Sequence, residues 1–335
     1  MATRVAIFGA SGYSGIELVR WLSRHPSVEI AGISSDKWAG RRIADAVLGC
    51  GSPLAFEPHD VVLTKPADLA FLATPAEVSA ALAPKLLDRG VRVVDLSGAF
   101  RLRDPASYPL FYGFEHPRPE LLAESYYGLP ELVGPPDRSV RLVANPGCYA
   151  TAAALAITPL VRAQLVEPGR AVMLDGKSGT SGAGRKADEA FSFTEVAPTI
   201  RPYRVVGHQH VPEIEQTSGV LVSFVPHLVP LARGLIVTAQ APLALGKSLD
   251  DVRVAFEAAY AASAFVKVVS GPPELSRTLH TNFAELGFAV DARTRTVIVM
   301  AALDNLVKGA AGQAIQNMNA ILGIEETTAL AALGK

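Results

Sequence analysis

The chain has 335 residues, and this length predicts two domains because a single hydrophobic core stops growing beyond about 250–300 residues. Hydrophobic residues make up 49% and charged residues 19%, with a formal net charge of −1, which gives no indication of a nucleic-acid or anionic-membrane partner. No apolar run approaches about 18 residues, which excludes a predicted membrane span, and the two cysteines indicate a reducing cytoplasm rather than a disulfide scaffold.

The first half of the chain alternates predicted strands with predicted helices. Strands are expected at residues 4–9, 28–34, 69–73, 91–96 and 142–144, and helices at residues 12–23 and 76–87. This alternation predicts a parallel sheet covered by helices on both faces, which is the α/β class. Residues 101–140 are rich in Pro, Tyr and Gly and are predicted to form a long functional loop.

The pattern changes after Thr158. Strands are expected at residues 171–174, 235–241, 266–269 and 296–302, and helices at residues 248–261 and 310–322. These elements predict an α+β domain with a mixed or antiparallel sheet and helices on one side. The last helix is amphipathic, so we expect it to return to the first domain and cover an apolar face there.

The segment 9–15 has the pattern G-x-x-G-x-x-G, follows the first predicted strand and opens a helix. Glycines at such a place allow a tight turn and let backbone N–H groups approach a pyrophosphate at the helix N-terminus. This context predicts a dinucleotide site, with a plain tight turn as the alternative. The predicted contacts are Gly9, Ser11, Gly12, Tyr13, Ser14 and Gly15.

The end of the second predicted strand bears on the choice of coenzyme. An acidic residue there usually holds the ribose hydroxyls of NAD, whereas a cation accommodates the 2′-phosphate of NADP. Asp36 would serve NAD, but the hydroxyls of Ser34 and Ser35 and the nearby Arg41 suit a 2′-phosphate. We therefore predict NADP as the cofactor.

Cys148 follows Asn145-Pro146-Gly147 and precedes a helix predicted at residues 152–158. The positive end of a helix dipole lowers the pKa of a nearby thiol from its usual value of about 8.5, and the thiolate is the attacking species. We therefore predict that Cys148 is a nucleophile, and the alternative is a buried structural cysteine. Cys50 has no helix behind it and is predicted to be incidental.

His208 and His210 lie two residues apart and are candidates for general acid/base catalysis. A metal pair is the alternative, but no third ligand has suitable spacing and zinc motifs are absent, so no metal is predicted. Only one of the two histidines needs to act, and the other then orients the substrate or fills a polar core position. Glu213 is either a substrate contact or a helix N-terminal acid.

Three further segments carry donors for anionic groups. The loop 178–186 is predicted to close over the nicotinamide or a phosphate through Ser181 and Gly182, with an exposed linker as the alternative. Arg101 suits a carboxylate or phosphate unless it is a surface arginine in water. Asn305 lies in a segment whose backbone donors either meet the cofactor or simply begin the last helix.

Together these segments resemble the N-acetyl-gamma-glutamyl-phosphate reductases, enzymes of arginine biosynthesis that are related to aspartate-semialdehyde dehydrogenase. The matching stretches span nearly the whole chain in order. They are GASGYSG (9–15), DLSGAFRL (95–102), YGLPE (127–131), NPGCYAT (145–151), SGAGRK (181–186), GHQHVPEIEQ (207–216) and DNLVKGAAGQAIQNMN (304–319).

The resemblance implies a Rossmann-type, NADP-binding parallel-sheet domain at residues 1–147, completed by the C-terminal helix at 305–335. It implies an inserted α+β domain with a mixed sheet at residues 148–304, which serves catalysis, substrate binding and oligomerisation. The expected assembly is a homotetramer or homodimer, and the partner is a small acyl-phosphate substrate.

The resemblance also implies Cys148 as the nucleophile and His208 as the acid/base, with His210 as the less favoured candidate. One departure is Gln209, where the family commonly has arginine, so another arginine is expected to contact the substrate anion. The residues predicted to bind the substrate are Arg101, Asn145, Arg204 and Glu213.

The predicted reaction begins with attack of the Cys148 thiolate on the acyl phosphate of N-acetylglutamyl phosphate. NADPH then reduces the thioacyl group to the semialdehyde, and His208 supplies or takes the proton. One alternative is a sister reductase that acts on aspartyl phosphate or on a carrier-linked aminoadipyl phosphate. A second alternative is a catalytically silent NADP-sensing regulator, which would not require the NPGC and GHQH segments.

Overall fold

The computed structural model describes residues 2–47, 52–185, 193–197 and 199–330. It divides the chain into two units, one formed by residues 1–147 and 310–335 and the other by residues 148–309. The return to the first unit lies at residue 310 rather than at the predicted residue 305. The reason is local, because the amide of Gly309 donates to the carbonyl of Asp304 at 2.9 Å and keeps this turn in the second unit.

Short apolar strands build the sheet of the first unit. They are β1 (Thr3–Phe8), β2 (Val28–Ser34), β3 (Phe56–Glu57), β4 (Leu69–Leu72), β5 (Arg92–Asp95), β6 (Tyr126–Tyr127) and β7 (Leu142–Ala144). Over the described residues the sheet order is β3-β2-β1-β4-β5-β7-β6, and all neighbouring strands are parallel. Every residue of β4 is buried, as expected for a parallel strand covered on both faces. The predicted α/β class is confirmed.

Helices of the first unit cover the sheet and fill its connections. They are α1 (Tyr13–Leu22), α2 (His59–Thr64), α3 (Ala76–Asp88), α4 (Ser107–Phe111), α5 (Glu120–Glu124) and α6 (Pro130–Val133). The expectation of an irregular loop at 101–140 was wrong in part, since α4, α5, β6 and α6 lie in it. These elements span five residues or fewer, which is too short to show a period in the sequence.

The second unit contains a mixed sheet, as the sequence predicts. Its strands are β8 (Val172–Gly179), β9 (Arg201–Pro202), β10 (Val222–Val229), β11 (Leu235–Pro242), β12 (Val266–Val268), β13 (Ala284–Asp291) and β14 (Thr296–Leu303). Over the described part of the chain their order is β12-β13-β14-β11-β8-β10-β9. The β8–β10 and β12–β13 pairs are parallel, and the other pairs are antiparallel.

One face of this second sheet is covered by helices. The helices of the unit are α7 (Cys148–Arg162), α8 (Phe193–Val196), α9 (His210–Ser218), α10 (Leu249–Tyr260) and α11 (Leu275–Thr278). Helix α7 contacts β11 and β14, and every residue from 149 to 160 is buried. Along β8, Val172 and Leu174 are buried whereas Met173 is exposed, so the two faces of the sheet differ in their environment.

The last helix, α12 (Gly312–Leu322), contacts α1 and β5 in the first unit. A π-helical turn, Val307–Ala311, precedes it. On β5 the Arg92 guanidinium donates to the carbonyl of Ile321 at 2.8 Å and ties the end of the helix to the sheet. Within the described ranges, no helix is long and apolar enough to cross a lipid bilayer.

Candidate active site

Cys148 is the first residue of α7 and is half-buried at the edge of a cavity of about 200 Å³ in the second unit. Its position at the helix N-terminus gives the sulfur the positive environment that stabilises a thiolate. The helix begins earlier than the predicted residue 152. The residues that line the cavity are Cys148, Tyr149, Ser178, Gly182, Ala183, Tyr203, Arg204, His208, Gln209 and His210.

Asn145 holds the segment that leads into Cys148 through four hydrogen bonds within the first unit. Its backbone N–H donates to Asp95 O at 2.8 Å, and its carbonyl accepts from Arg101 Nε at 2.7 Å. Its side-chain Nδ2 donates to Ala310 O at 3.2 Å, while Oδ1 accepts from Asn317 Nδ2 at 3.0 Å. These contacts give Asn145 a structural role, and its predicted contact with the substrate stays a prediction.

Arg101 is buried at 7% exposure, and besides Asn145 O it donates to Leu96 O at 2.6 Å through Nη2. The interpretation as a surface arginine in water is therefore wrong. Two backbone carbonyls occupy donors of the guanidinium, and the residue is not among the described residues that line the cavity. Its predicted contact with a substrate anion stays a prediction.

Asn317 and Gly128 support the same segment and were not identified from the sequence. Asn317 is fully buried and donates to Gly128 O at 2.9 Å as well as to Asn145. A Cβ at Gly128 would lie 2.2 Å from Asn317 Nδ2, so glycine is required for this approach. Both positions lie in stretches of the resemblance, YGLPE and QNMN, but only the three-dimensional structure brings them together.

Gly309 lies directly against Cys148 within the second unit. A Cβ at this position would lie 2.7 Å from Cys148 Cβ and 3.1 Å from Cys148 Cα. The turn that carries Gly309 is organised by the fully buried Asp304, which accepts from the amide of Leu306 at 2.8 Å. Asp304 also pairs with Arg233 Nε at 2.8 Å. Sequence reasoning missed Gly309 because nothing local distinguishes it from other helix-entry glycines.

His208 is buried at 4% exposure, and its Nδ1 accepts the backbone N–H of His210 at 3.1 Å. A backbone N–H can only donate, so the neutral ring carries its proton on Nε2. Burial first, and the positive charge of Arg204 second, lower the pKa of His208 to about 4. His208 is therefore a neutral hydrogen-bond donor at pH 7 and not an imidazolium.

His210 begins α9, with its ring centroid 4.7 Å from that of His208, and it also lines the cavity. Both histidines thus remain candidates for the acid/base. Glu213 is fully buried on the same face of α9 as His210 and is not among the described lining residues. Its predicted contact with the substrate has no support in this geometry and stays a prediction.

Two tyrosines of the cavity were not predicted. The hydroxyl of Tyr149 donates to His227 O at 3.1 Å, and the rings of Tyr149 and Tyr203 lie 5.8 and 5.7 Å from that of His208. Burial raises the pKa of both phenols well above its usual range, so both remain protonated at neutral pH. The tyrosines pack against His208 together with the rings of His210 and Phe224, which lie 4.7 and 5.3 Å away, and this packing contributes to the burial of its ring.

In the first unit, the glycine-rich turn between β1 and α1 is closely packed at two of its three glycines. Gly9 (φ +76°) and Gly15 are packed so closely that a Cβ at either would lie 2.4 Å from a backbone oxygen. At Gly12 the nearest atom would be 3.4 Å away, and no side chain caps the helix that starts there. The N–H of Gly12 donates to Gly9 O at 3.0 Å, and the helix start has no side-chain cap, which fits the binding of a dinucleotide pyrophosphate by first-turn N–H groups. Ser11, Tyr13 and Ser14 are half-buried around the same turn.

The end of β2 separates the predicted 2′-phosphate contacts into two kinds. Ser34 is fully buried and its Oγ bonds His59 Nδ1 at 2.7 Å, so this hydroxyl has a structural partner. Ser35 Oγ bonds Ser11 Oγ at 2.7 Å and thereby joins the strand end to the glycine-rich turn. The carboxylate of Asp36 accepts the backbone N–H of His59 at 3.0 Å, which gives it a role in the fold.

Arg41 is exposed near this strand end, with its guanidinium 4.5 Å from the centroid of the Trp38 ring. Its Nη2 donates to the carbonyl of Asp45 at 3.0 Å. Stacking on the indole restricts the guanidinium while its charge stays at the surface, so it can meet a phosphate.

In the second unit, Asn305 joins two loops. Its Nδ2 donates to Ser181 Oγ at 3.0 Å, and its Oδ1 accepts the amide of Gly234 at 2.7 Å. The segment Thr180–Ala183 is a 3₁₀ turn, and Gly182 in it lines the cavity. Contacts of Ser181, Gly182 and Asn305 with the cofactor stay predictions.

The predicted incidental Cys50 and the end of the loop 178–186 lie outside the described residues. Among the described residues, no group of three or more His, Cys, Asp or Glu side chains has an arrangement that could hold a metal ion.

Family models and full-length relatives match the chain. Residues 4–137 match the model described as semialdehyde dehydrogenase, NAD binding domain, and residues 148–305 match semialdehyde dehydrogenase, dimerisation domain. An N-acetyl-gamma-glutamyl-phosphate reductase of Dehalococcoides mccartyi is 43% identical over 98% of both chains. One from Thermus thermophilus is 44% identical over 97% of this chain and 98% of the relative.

Solved structures show the same fold at low sequence identity. Aspartate semialdehyde dehydrogenase II of Vibrio cholerae, complexed with ASA, has a TM-score of 0.73 at 17% identity and covers 96% of this chain and 99% of its own. The aspartate semialdehyde dehydrogenase of Candida albicans, solved with NADP, has a TM-score of 0.62 at 17% identity with the same coverages.

Proposed function

Because the chain belongs to the N-acetyl-gamma-glutamyl-phosphate reductase family, we propose that it converts N-acetyl-gamma-glutamyl phosphate to N-acetylglutamate 5-semialdehyde with NADPH, in arginine biosynthesis. The observation that carries the proposal is the placement of Cys148 at the start of α7, half-buried in a cavity that also contains His208. This arrangement suits covalent catalysis on an activated acyl group.

Cys148 acts as the nucleophile. Its thiolate attacks the acyl carbon of the acyl phosphate, an S–C bond forms, and phosphate leaves with the electrons of the C–O bond. The thiolate is stabilised by the helix N-terminus rather than by an imidazolium, because His208 is neutral at pH 7. The thioester that remains on Cys148 is the group that is reduced.

His208 stabilises the negative charge that develops on the acyl oxygen. Each tetrahedral stage places negative charge on this oxygen, and the Nε2–H of the neutral ring is the donor that stabilises it. The backbone N–H of His210 fixes this tautomer by donating to Nδ1. We therefore assign the acid/base to His208 and a supporting role to His210.

When bound in the first unit, NADPH would supply the hydride. The first turn of α1 at Gly12 would hold its pyrophosphate, and Ser35 with Arg41 would hold the 2′-phosphate. The preference for NADP over NAD is supported by the exposed cation of Arg41 near the end of β2, which suits a 2′-phosphate. The Candida albicans neighbour was itself solved with NADP.

We further propose that the protein is a homodimer or homotetramer that works in the cytoplasm. The match of residues 148–305 to a dimerisation domain supports self-association. The sheet of the second unit offers a suitable surface, because Met173 on β8 is exposed on the face opposite its buried neighbours. Two cysteines in 335 residues suit a reducing compartment.

The test uses the reverse reaction, with NADP reduction followed in the presence of phosphate and a panel of semialdehydes. N-acetylglutamate semialdehyde should be oxidised with kcat/KM at least about 100-fold above that of aspartate semialdehyde, because a site built for one acyl group discriminates strongly against another. Cys148→Ser should be inactive, while Cys50→Ser should keep wild-type turnover. A preference for aspartate semialdehyde, or turnover by Cys148→Ser, would contradict the proposal.

A further inference from the structure

The segment 203–209 contributes four residues to the lining of the cavity and has an unusual backbone conformation. Arg204 has φ +43° and Val206 has φ +70°, which is the left-handed region that residues with a Cβ seldom adopt. Val206 is β-branched and 87% exposed, so no packing of its side chain accounts for the conformation. Strained backbone is concentrated at functional sites, where it aims a neighbouring side chain.

The side chain aimed in this way is that of Arg204. Its Nη1 donates to Oε1 of Gln209 at 2.8 Å, and both residues line the cavity with Cys148. Gln209 precedes the first residue of α9, and its neighbours His208 and His210 are buried, so the backbone that carries the Gln209 amide is held in place. The guanidinium is thus tethered at the mouth of the cavity instead of moving freely in water.

The contact between Arg204 and Gln209 holds a positive charge at the cavity. Among the described residues that line the cavity, Arg204 is the one with a permanent positive charge, and none is a carboxylate. The field of Arg204 reaches the buried ring beside the nucleophile, since it helps to lower the pKa of His208. A cavity of this kind attracts a carboxylate or phosphate and stabilises the Cys148 thiolate.

We propose that Arg204 is the anion contact of the substrate and that Gln209 is the residue that positions it. The ligand group is a carboxylate or a phosphate. Only its identification with part of an acyl phosphate rests on the proposed function. A neutral amide at position 209 accepts from the guanidinium without cancelling its charge, so the pair combines a defined position with a full positive potential.

Alkylation of Cys148 tests the proposal without any turnover. The thiolate displaces iodide from iodoacetate, which is an anion, and from iodoacetamide, which is neutral and nearly the same size. The ratio of the two second-order rate constants reports the potential at the sulfur, while changes in folding or thiol pKa affect both reagents alike. Arg204→Gln should lower the iodoacetate-to-iodoacetamide ratio about three- to tenfold, the effect of one charge a few ångströms away at intermediate dielectric.

The variants at position 209 separate positioning from charge. Gln209→Glu should lower the ratio as much as Arg204→Gln does, because the new carboxylate neutralises the guanidinium. Gln209→Ala should lower the ratio less, and should raise KM for an anionic semialdehyde more than it lowers kcat. Gln164→Glu is the matched control, since Gln164 is exposed in the same unit and is not a described lining residue, and it should leave the ratio unchanged.

An unchanged ratio in Arg204→Gln would overturn the anion contact. A Gln209→Ala variant equal to the wild type in both ratio and KM would overturn the positioning role of Gln209. These outcomes are distinguishable from failure of the proposed function, because a protein that is inactive on N-acetylglutamate semialdehyde still gives an alkylation ratio.

Discussion

Replacing Gly309 with alanine should reduce catalysis by displacing Cys148. The backbone of Gly309 does not lie in the left-handed region, so alanine is compatible with its conformation. The new Cβ would stand 2.7 Å from Cys148 Cβ, and reaching the 3.4 Å at which ordinary contact begins requires a shift of roughly 0.7 Å. The Cys148 side of the contact is fixed by a buried helix, and the Gly309 side by the turn at Asp304.

A misplacement of this size should cost about 10- to 100-fold in kcat, because reacting groups must be held to within a fraction of an ångström. The free energy of unfolding should fall by only about 1–3 kcal/mol, as is usual for one added methyl in a packed site. The assay is the iodoacetamide reaction of Cys148 over pH 6–9, combined with steady-state turnover. The thiol pKa should rise as the sulfur moves away from the axis of α7.

Gly271→Ala is the matched control, since a Cβ there meets no atom within 4 Å and its φ is also outside the left-handed region. It should be indistinguishable from the wild type in alkylation and in turnover. If Gly309→Ala kept wild-type kcat and the wild-type pH profile of alkylation, the view that this glycine sets the position of the nucleophile would have to be abandoned.

Three further predictions concern His208, Asn317 and Arg41. The pKa of His208 is about 4 in the folded protein and 6.5 in the unfolded chain, so the unfolded state binds more protons between these two pH values. The free energy of unfolding should therefore fall by about 3 kcal/mol from pH 6.5 to pH 4, and urea unfolding should show a smaller loss in His208→Asn. Asn317→Leu should lower the free energy of unfolding by about 1–3 kcal/mol, because Gly128 O and Asn145 Oδ1 lose a buried donor. Slower alkylation of Cys148 in this variant would show that the lost hydrogen bonds also affect the reactivity of the thiol. Arg41→Ala should raise KM for NADPH about three- to tenfold and leave KM for NADH unchanged, and equal effects on both coenzymes would contradict a 2′-phosphate contact.

The elements with a strong period were predictable from the sequence, and those that depend on distant partners were not. The strand predicted at 28–34 has the bounds of β2, because an apolar run between turn residues marks a buried parallel strand. Strand β10 was missed because Pro226 and His227 interrupt its pattern. It forms nonetheless, since it pairs with β8 along its whole length.

The candidate site divides in the same way. Cys148 and His208 were predicted from the sequence because each lies in a short segment with a recognisable pattern, NPGCYAT and GHQHVPEIEQ. The sequence did not reveal the contact of Gly309 with Cys148, or that of Asn317 with Asn145, which joins residues 172 positions apart. Arg101 and Asn305 are predicted to bind ligands, and these contacts stay predictions; in the structure, Arg101 Nε donates to Asn145 O and Asn305 Nδ2 donates to Ser181 Oγ.

Helix α7 begins with Cys148, and its residues 149–160 are all buried, whereas residues 204–207 beside the cavity are exposed. These two parts differ in how freely they can change during evolution. Substitutions in this helix disturb the folding of the whole unit, while substitutions at residues 204–207 alter which ligands enter the cavity and leave Cys148 and His208 in place. Divergence toward other acyl groups is therefore expected to accumulate at residues 204–207. A library intended to change the substrate of the enzyme should randomise these residues and leave helix α7 unchanged.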